Sequence, residues 1–179
     1  MKLLHGDVLN LDLKVTLPKK YVVVANIPYY ITGVFLRKML TDVNQPNRMV
    51  LMVQKEIASR ILAHDKKESV LSISVKAYGR PGVVRKVAKR YFKPVPKVDS
   101  AILKIENISK KFFIGSVTEE KFFAVVRLGF QHKRKKVLSN LRPHYTNVDK
   151  VFGALNMDKD ARAEDLSLKV WLNLAKLLK

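Results

Sequence analysis

The sequence predicts an α/β unit over residues 1–106 followed by a small all-helical unit over residues 107–179. Three observations carry that division. The apolar run Tyr21-Val22-Val23-Val24-Ala25 is rich in β-branched residues and stops at Asn26-Ile27-Pro28-Tyr29, the pattern of a buried strand that delivers a stiff loop to one edge of a sheet. Further short apolar runs, at 49–53, 83–88 and 100–105, alternate with segments of helical periodicity. Beyond Ile105 the strand-like runs cease and the remainder has helical spacing.

In chain order, Lys2-Leu3-Leu4-His5 reads as a short strand entering the turn Gly6-Asp7-Val8-Leu9, and residues 11–20 as a polar connection broken by Pro18. Ile31, Val34, Phe35, Met39 and Leu40 form a helical stripe that Thr32 is placed to cap. After the strand at 49–53, Gln54-Lys55-Glu56 opens a helix through Leu62. Leu71, Ile73, Val75 and Tyr78 admit helix or strand; helix is preferred, with Gly79-Arg80-Pro81-Gly82 as its stop. Two strands, 83–88 and 100–105, flank Phe92-Lys93-Pro94-Val95-Pro96-Lys97, where the two prolines stiffen the connection and remove backbone donors. Residues 107–118 read as a linker. Glu119 and Glu120 then start a helix whose apolar face is Phe122, Phe123, Val126 and Phe130. Thr146 or Asn147 caps a short helix to Leu155, and a last helix spans 166–178 with Leu168, Trp171, Leu172, Ala175 and Leu178 facing inward.

Composition narrows the function classes. Thirty-five basic against 15 acidic residues leave a formal charge of +20, with 20 basic and 8 acidic residues already in 1–106, so the excess is not confined to a tail. Such a charge reads as polyanion binding, nucleic acid ahead of a membrane surface. No apolar run approaches the roughly 20 residues of a membrane span, and the opening Met1-Lys2-Leu3-Leu4 meets His5 and Asp7 too soon for a signal peptide. Without cysteine, disulfides and thiolate metal sites are excluded, and a cytoplasmic location is the default. His5, His64, His132 and His144 lack paired ligand spacing, so no metal is expected.

The turn after residues 21–25 carries the most chemistry. An amide oxygen at Asn26 and a backbone carbonyl beside it can accept from an exocyclic amine, while the Tyr29 ring can stack on a flat base; a plain proline turn would look the same. An acidic residue such as Asp7 at a strand end can accept from an adenine amine or a ribose hydroxyl, although a Gly-Asp pair also serves as a simple turn. The run Lys133, Arg134, Lys135, Lys136 suits phosphate contact in so basic a chain, or a solvated face.

Five segments now stand in order: Gly6-Asp7; Asn26-Ile27-Pro28-Tyr29; Gln54-Lys55-Glu56; Phe92-x-Pro-x-Pro-Lys97-Val98-Asp99-Ser100; and the basic run followed by Arg162-Ala163-Glu164-Asp165-Leu166-Ser167. This series resembles the KsgA family of rRNA adenine dimethyltransferases. The third and fifth segments look like its small-subunit branch, not the related antibiotic-resistance methylases that act on large-subunit rRNA. The resemblance implies the carboxyl-terminal part of a class I (Rossmann-like) methyltransferase sheet followed by a small helical RNA-binding domain. None of the seven glycines forms a Gly-x-Gly pair, and Met1 falls where the family's fourth strand begins, so a fragment lacking the glycine-rich cofactor loop is expected.

What the resemblance implies about residues is specific. Asn26, Ile27, Pro28, Tyr29 and Phe92 would form the catalytic centre, and Asp7 with Asn26 would hold S-adenosylmethionine. Lys97, Lys133, Arg134, Lys135 and Lys136 would grip RNA; Lys133 stands where the family usually has arginine, keeping charge but losing bidentate geometry. The implied partner is small-subunit rRNA or a pre-ribosomal particle, with no membrane and no metal, and the family's complete members are monomers. With earlier strands absent, the strand at 3–5 would be an exposed edge open to self-association. A non-catalytic rRNA-binding module and a large-subunit methylase remain the alternatives.

Overall fold

The structure, a computed structural model, describes residues 3–115 and 117–179. Its elements are α1 (Leu13–Thr16), β1 (Val22–Asn26), α2 (Thr32–Thr41), β2 (Arg48–Gln54), α3 (Lys55–Leu62), α4 (Val70–Tyr78), β3 (Arg80–Val87), β4 (Ser100–Glu106), α5 (Glu119–Gly129), α6 (Val137–Leu141), α7 (Val148–Ala154) and α8 (Leu168–Leu177). The chain divides into two compact units, Met1–Ala58 with Tyr78–Ser109, and Ser59–Ala77 with Lys110–Lys179. The boundary drawn from sequence at 106/107 differs from this division chiefly at Ser59–Ala77, which belongs with the helices.

The first unit is built on a four-stranded sheet of order β1-β2-β4-β3, with β1 and β2 parallel and β4 antiparallel to both its neighbours. Strand periodicity fixes its core face. Met49, Leu51 and Val53 of β2 stand opposite Ile105, Leu103 and Ala101 of β4, and all six are buried. Phe35, Leu36, Met39 and Leu40 of α2 are buried as well. Gly79 makes the entry to β3 possible, because a Cβ there would sit 2.9 Å from both the Glu106 carbonyl oxygen and Ile105 Cγ2. This topology gathers the carboxyl ends of β1, β2 and β3 and the amino end of β4 at one edge of the sheet.

Several expectations need correction in this unit. Leu3, Leu4 and His5 form no strand (Lys2 lies outside the described residues), so the edge strand is β1. β1 is not buried on both faces: Val22 is 56% and Val24 78% exposed, while Val23 and Ala25 on the other face are half-buried. The polar connection at 11–20 contains α1, whose first turn is capped by the Asp12 carboxylate accepting from Lys14 N and Val15 N, and whose Leu13 is fully buried. On α2, Val34 is exposed and Leu36 buried instead, and Thr32 lies inside the helix, donating its hydroxyl to the Tyr29 carbonyl. β3 starts at Arg80, not Val83; proline is tolerated at an edge strand, where the missing donor faces away from the ladder.

The second unit is helical. Phe122, Val125 and Val126 of α5, Val137, Leu138 and Leu141 of α6, Val148, Val151 and Phe152 of α7, and Trp171, Leu174 and Ala175 of α8 share one buried core with Ile73 and Ala77 of α4. Side chains such as Trp171 and Phe122, both fully buried, cost about 3–5 kcal/mol when cut to alanine. Thr118 caps α5 by accepting from Lys121 N, and Ser167 caps α8 by accepting from Val170 N. Asn147 occupies the N-cap of α7, but its side chain serves the end of the chain, donating to the Leu177 carbonyl and accepting from Lys179 N. The expected linker is partly folded: Phe112 and Phe113 pack edge-on against Phe122, with centroids 5.3 and 5.7 Å away.

Candidate functional site

β1 ends at Asn26, and the loop beyond it is rigid. Ile27 is buried and anchors that loop. Pro28 opens a 3₁₀ turn, Tyr29–Ile31, closed by Ile31 N donating to the Pro28 carbonyl. By strand alternation Asn26 shares a face with Val22 and Val24, opposite the core face of Val23 and Ala25. Its side chain is exposed and has no hydrogen-bond partner among the described residues. Asn26 is therefore not turned into the core.

The proline-rich connection meets this loop at the same sheet edge. The Tyr29 hydroxyl and Ser100 Oγ lie 2.6 Å apart, and Ser100 is fully buried. That hydrogen bond joins two segments separated by 71 residues. Ahead of Ser100, the Asp99 carboxylate accepts from Lys89 N at 3.0 Å while its backbone carbonyl accepts from Lys55 N, also at 3.0 Å. The 3₁₀ turn Lys89–Tyr91 and the start of α3 are thus tied to one residue. A cavity of about 340 Å³ opens between the loops, lined by residues 26–29 together with Phe92, Lys93, Pro94 and Pro96. It offers an unpartnered amide, backbone carbonyls and two aromatic rings, Tyr29 half-buried by its hydroxyl contact and Phe92 half-buried beside it. Such a set can hold a flat ligand carrying an amine.

The other sequence candidates sit apart. The Asp7 carboxylate accepts from Leu9 N at 2.8 Å and from the Asn10 amide at 3.3 Å, so it stabilises its own turn; the turn itself is open, with nothing within 4 Å of a Cβ at Gly6. Lys97 is exposed on the proline-rich loop. Lys133, Arg134 and Lys135 are exposed in the connection between α5 and α6, whereas Lys136 pairs with Asp160 and bridges to Arg162. The buried Asn140 shapes that connection by donating to the carbonyls of Gly129 and His132; no pattern in the sequence pointed to it. The segment Arg162-Ala163-Glu164-Asp165 is structural in this unit: Glu164 pairs with Lys67 at 2.5 Å and its carbonyl accepts from Glu68 N.

Ionisation is shifted at Tyr21 and Asp149. Burial, with Asp42 close by, pushes the Tyr21 phenol up to about 12; its hydroxyl donates to the Asn44 carbonyl at 2.6 Å. The Asp149 carboxyl is held below its ordinary value by its hydrogen bond with Arg142. Among the described residues no cluster of histidine and carboxylate side chains could hold a metal ion, and no helix is long and apolar enough to cross a membrane.

Comparison with known proteins places these segments in a wider set. Residues 1–179 match the family model described as "Ribosomal RNA adenine dimethylase". A "Ribosomal RNA small subunit methyltransferase A" of Fusobacterium nucleatum is 33% identical over 98% of this chain and 68% of its own length. The protein of that name from Dehalococcoides mccartyi is 38% identical over 97% of this chain and 61% of its own. Among solved structures, a dimethyladenosine transferase from Plasmodium falciparum superposes with a TM-score of 0.76 at 29% identity, covering 96% of this chain and 70% of the other. The 23S rRNA methyltransferase ErmE gives 0.75 at 24% identity over 95% and 68%, a likeness of fold alone. The sheet and the helices that come after it are thus the corresponding part of a Rossmann-like rRNA methyltransferase.

Proposed function

The chain belongs to the ribosomal RNA adenine dimethylase family, and from that premise we propose that it dimethylates the exocyclic amine of adenosines in small-subunit rRNA. The observation that carries this reading is the single cavity shared by residues 26–29 and the Phe92 loop, closed by the Tyr29–Ser100 hydrogen bond. The chain spans 61–68% of the length of these relatives.

An adenine amine is a weak nucleophile, since its lone pair is delocalised into the ring. The Asn26 side-chain oxygen and the Ile27 carbonyl accept its two hydrogens, which favours a pyramidal nitrogen with its lone pair directed outward. Tyr29 and Phe92 stack on the two faces of the extruded base, each contact worth about 1–3 kcal/mol. Pro28 stiffens the loop so that little order remains to be imposed on binding. S-adenosylmethionine, when bound, supplies an electrophilic methyl group. The unpartnered, solvent-facing Asn26 amide fits a place beside it, and the open Gly6-Asp7 turn fits its adenosine end once the Asp7 carboxylate exchanges its local contacts. Methylation acidifies the nitrogen, so water takes the proton and positioning supplies most of the rate. For the second methyl only one amine hydrogen remains, and one of the two acceptors suffices. Lys97, Lys133, Arg134 and Lys135 meet phosphates, with Lys136 joining them only if it leaves Asp160.

Asn26→Ala is expected to slow methyl transfer about a hundredfold while leaving RNA affinity within a factor of a few; an unchanged rate would remove the assignment. Comparing modification of small- and large-subunit rRNA tests the substrate, with the small subunit expected. The charge of +20 also supports a second reading, an rRNA-binding module without catalysis. Calorimetric titration with S-adenosylmethionine separates the two: measurable heat of binding speaks for the enzyme, none for the module.

A further inference from the structure

A second cavity, of about 490 Å³, lies in the same unit and has no part in the site above; Arg85, Lys86, Tyr91, Asp99 and Ile102 line it. Its position derives from the sheet. Asn26 is in register with Met52, Met52 with Ile102, and Ile102 with Arg85, so one row runs across all four strands on the non-core face. Three strand spacings separate its ends, about 14 Å. Asn26 stands at one end of that row and the second cavity at the other.

Tyr91 is the notable member. A tyrosine 71% exposed beside a fully folded turn is neither core nor anchor. The Arg90 guanidinium lies 5.3 Å from its ring centroid, and the rest of the ring is open. The backbone that carries the ring is fixed, because Tyr91 N donates to the Ala88 carbonyl and Phe92 N to that of Lys89, while Asp99 accepts from Lys89 N. Only the side-chain torsions of Tyr91 are left to order on binding. Around it the charge is one-sided: residues 80–99 hold seven cations, at 80, 85, 86, 89, 90, 93 and 97, against the single acid Asp99. Among the described residues Arg85, Lys86, Lys89 and Lys93 take part in no ion pair. A preset aromatic face beside unneutralised cations is the combination that binds single-stranded nucleic acid.

We propose that this cavity is a second nucleotide subsite, in which Tyr91 stacks on the base next to the extruded adenosine and Arg85 holds the adjoining phosphate. The proposal rests on the reading of the first cavity as an adenosine site. Tyr91 and Phe92 are consecutive residues and each lines one of the two cavities, so neighbouring nucleotides of one strand are the ligand that would fill both. The subsite explains why the loop carries two aromatic residues in succession, and it makes recognition depend on a neighbour of the target base.

The test is binding of short single-stranded RNA oligonucleotides carrying one adenosine, measured by fluorescence anisotropy with the complete chain. Tyr91→Ala should weaken binding about tenfold and Tyr91→Phe should not; a residue so exposed can be replaced without unfolding the chain, which an unchanged denaturation midpoint checks. An abasic nucleotide placed on the correct side of the adenosine should abolish the difference between wild type and Tyr91→Ala, and on the other side should preserve it. Arg85→Ala should flatten the salt dependence by about one phosphate contact. Equal affinity of Tyr91→Ala and wild type, a Tyr91→Ala loss that survives abasic nucleotides on both sides, or no binding of any oligonucleotide would each overturn the subsite. Loss on Tyr91→Ala with none on Phe92→Ala would sink the adenosine clamp, and with it the subsite as the neighbour of an extruded base, whereas loss on Phe92→Ala with none on Tyr91→Ala would overturn the subsite alone.

Discussion

The hydrogen bond between Tyr29 and Ser100 is the place where the smallest chemical change cuts the site in two, and a double-mutant cycle measures it. Tyr29→Phe keeps the ring and removes one hydroxyl. It leaves Ser100 Oγ without a partner in a fully buried position, a loss of about 1–3 kcal/mol. Ser100→Ala leaves the Tyr29 hydroxyl instead, but Tyr29 is only half-buried, so water can substitute and about 0.5–1.5 kcal/mol is expected. The double variant removes both polar groups together, and its cost should fall short of the sum by about 1 kcal/mol. Urea denaturation monitored by near-ultraviolet tyrosine dichroism is the assay, because five of the six tyrosines, all but Tyr145, lie in the first unit while the single tryptophan, Trp171, reports the second. The same variants separate anchoring from stacking in RNA binding. Tyr29→Phe should lose only a few-fold in affinity, and Tyr29→Ala about tenfold or more. Additive single and double costs would refute the reasoning, since the two loops would then hold their places without one another.

Three further outcomes are expected. A Cβ at Gly129 would overlap Trp171 Cη2 and stand 2.7 Å from its Cζ3 and 3.2 Å from Val137 Cγ2; with Trp171 fully buried and stacked on Phe130, Gly129→Ala should destabilise the helical unit by about 1–2 kcal/mol despite the better helix propensity of alanine, and an unshifted tryptophan-fluorescence transition would contradict this. The Tyr21 phenol has a folded value raised to about 12 from 10, so its stabilising effect is complete below pH 10 and is lost as pH climbs from 10 to 12, where the unfolded chain ionises first; Tyr21→Phe should flatten that fall, as seen in denaturation midpoints across the window. The open face of β1, with Val22 and Val24 exposed on an unpaired edge, should drive self-association at salt high enough to screen the charge, and Val24→Lys should suppress it in sedimentation velocity; identical profiles for the two proteins would show that the edge is inert.

Much of the lining of the candidate cavity was legible in the sequence. The amide-proline-tyrosine turn and the phenylalanine ahead of two prolines were identifiable because each pairs a stiff backbone with a side chain that has little else to do at a strand end. The helical stripe of α5 was equally plain, since Phe122 and Val126 lie one turn apart. Other readings failed for a common reason, that composition does not state what lies alongside. Residues 22–24 look like a buried strand, yet burial depends on what covers each face, and the face that bears Val22 and Val24 is exposed. Asp7 has the chemistry of a ligand-binding acid, but its nearest donors belong to its own turn. Lys136 reads like its three basic neighbours and differs only in meeting Asp160.

By itself the chain's order of residues determined the alternation of strands and helices, the stiffness of the two loops and the cationic character of the whole, all properties set by local geometry or by simple counting. Tertiary structure alone decided that Ser100 lies under Tyr29, that Ser59–Ala77 joins the helices through Ile73 and Ala77, and that Tyr91 and Arg85 flank a cavity on the face that also bears Asn26. Strand register and long-range packing bring together groups tens of residues apart, and no local pattern encodes such meetings.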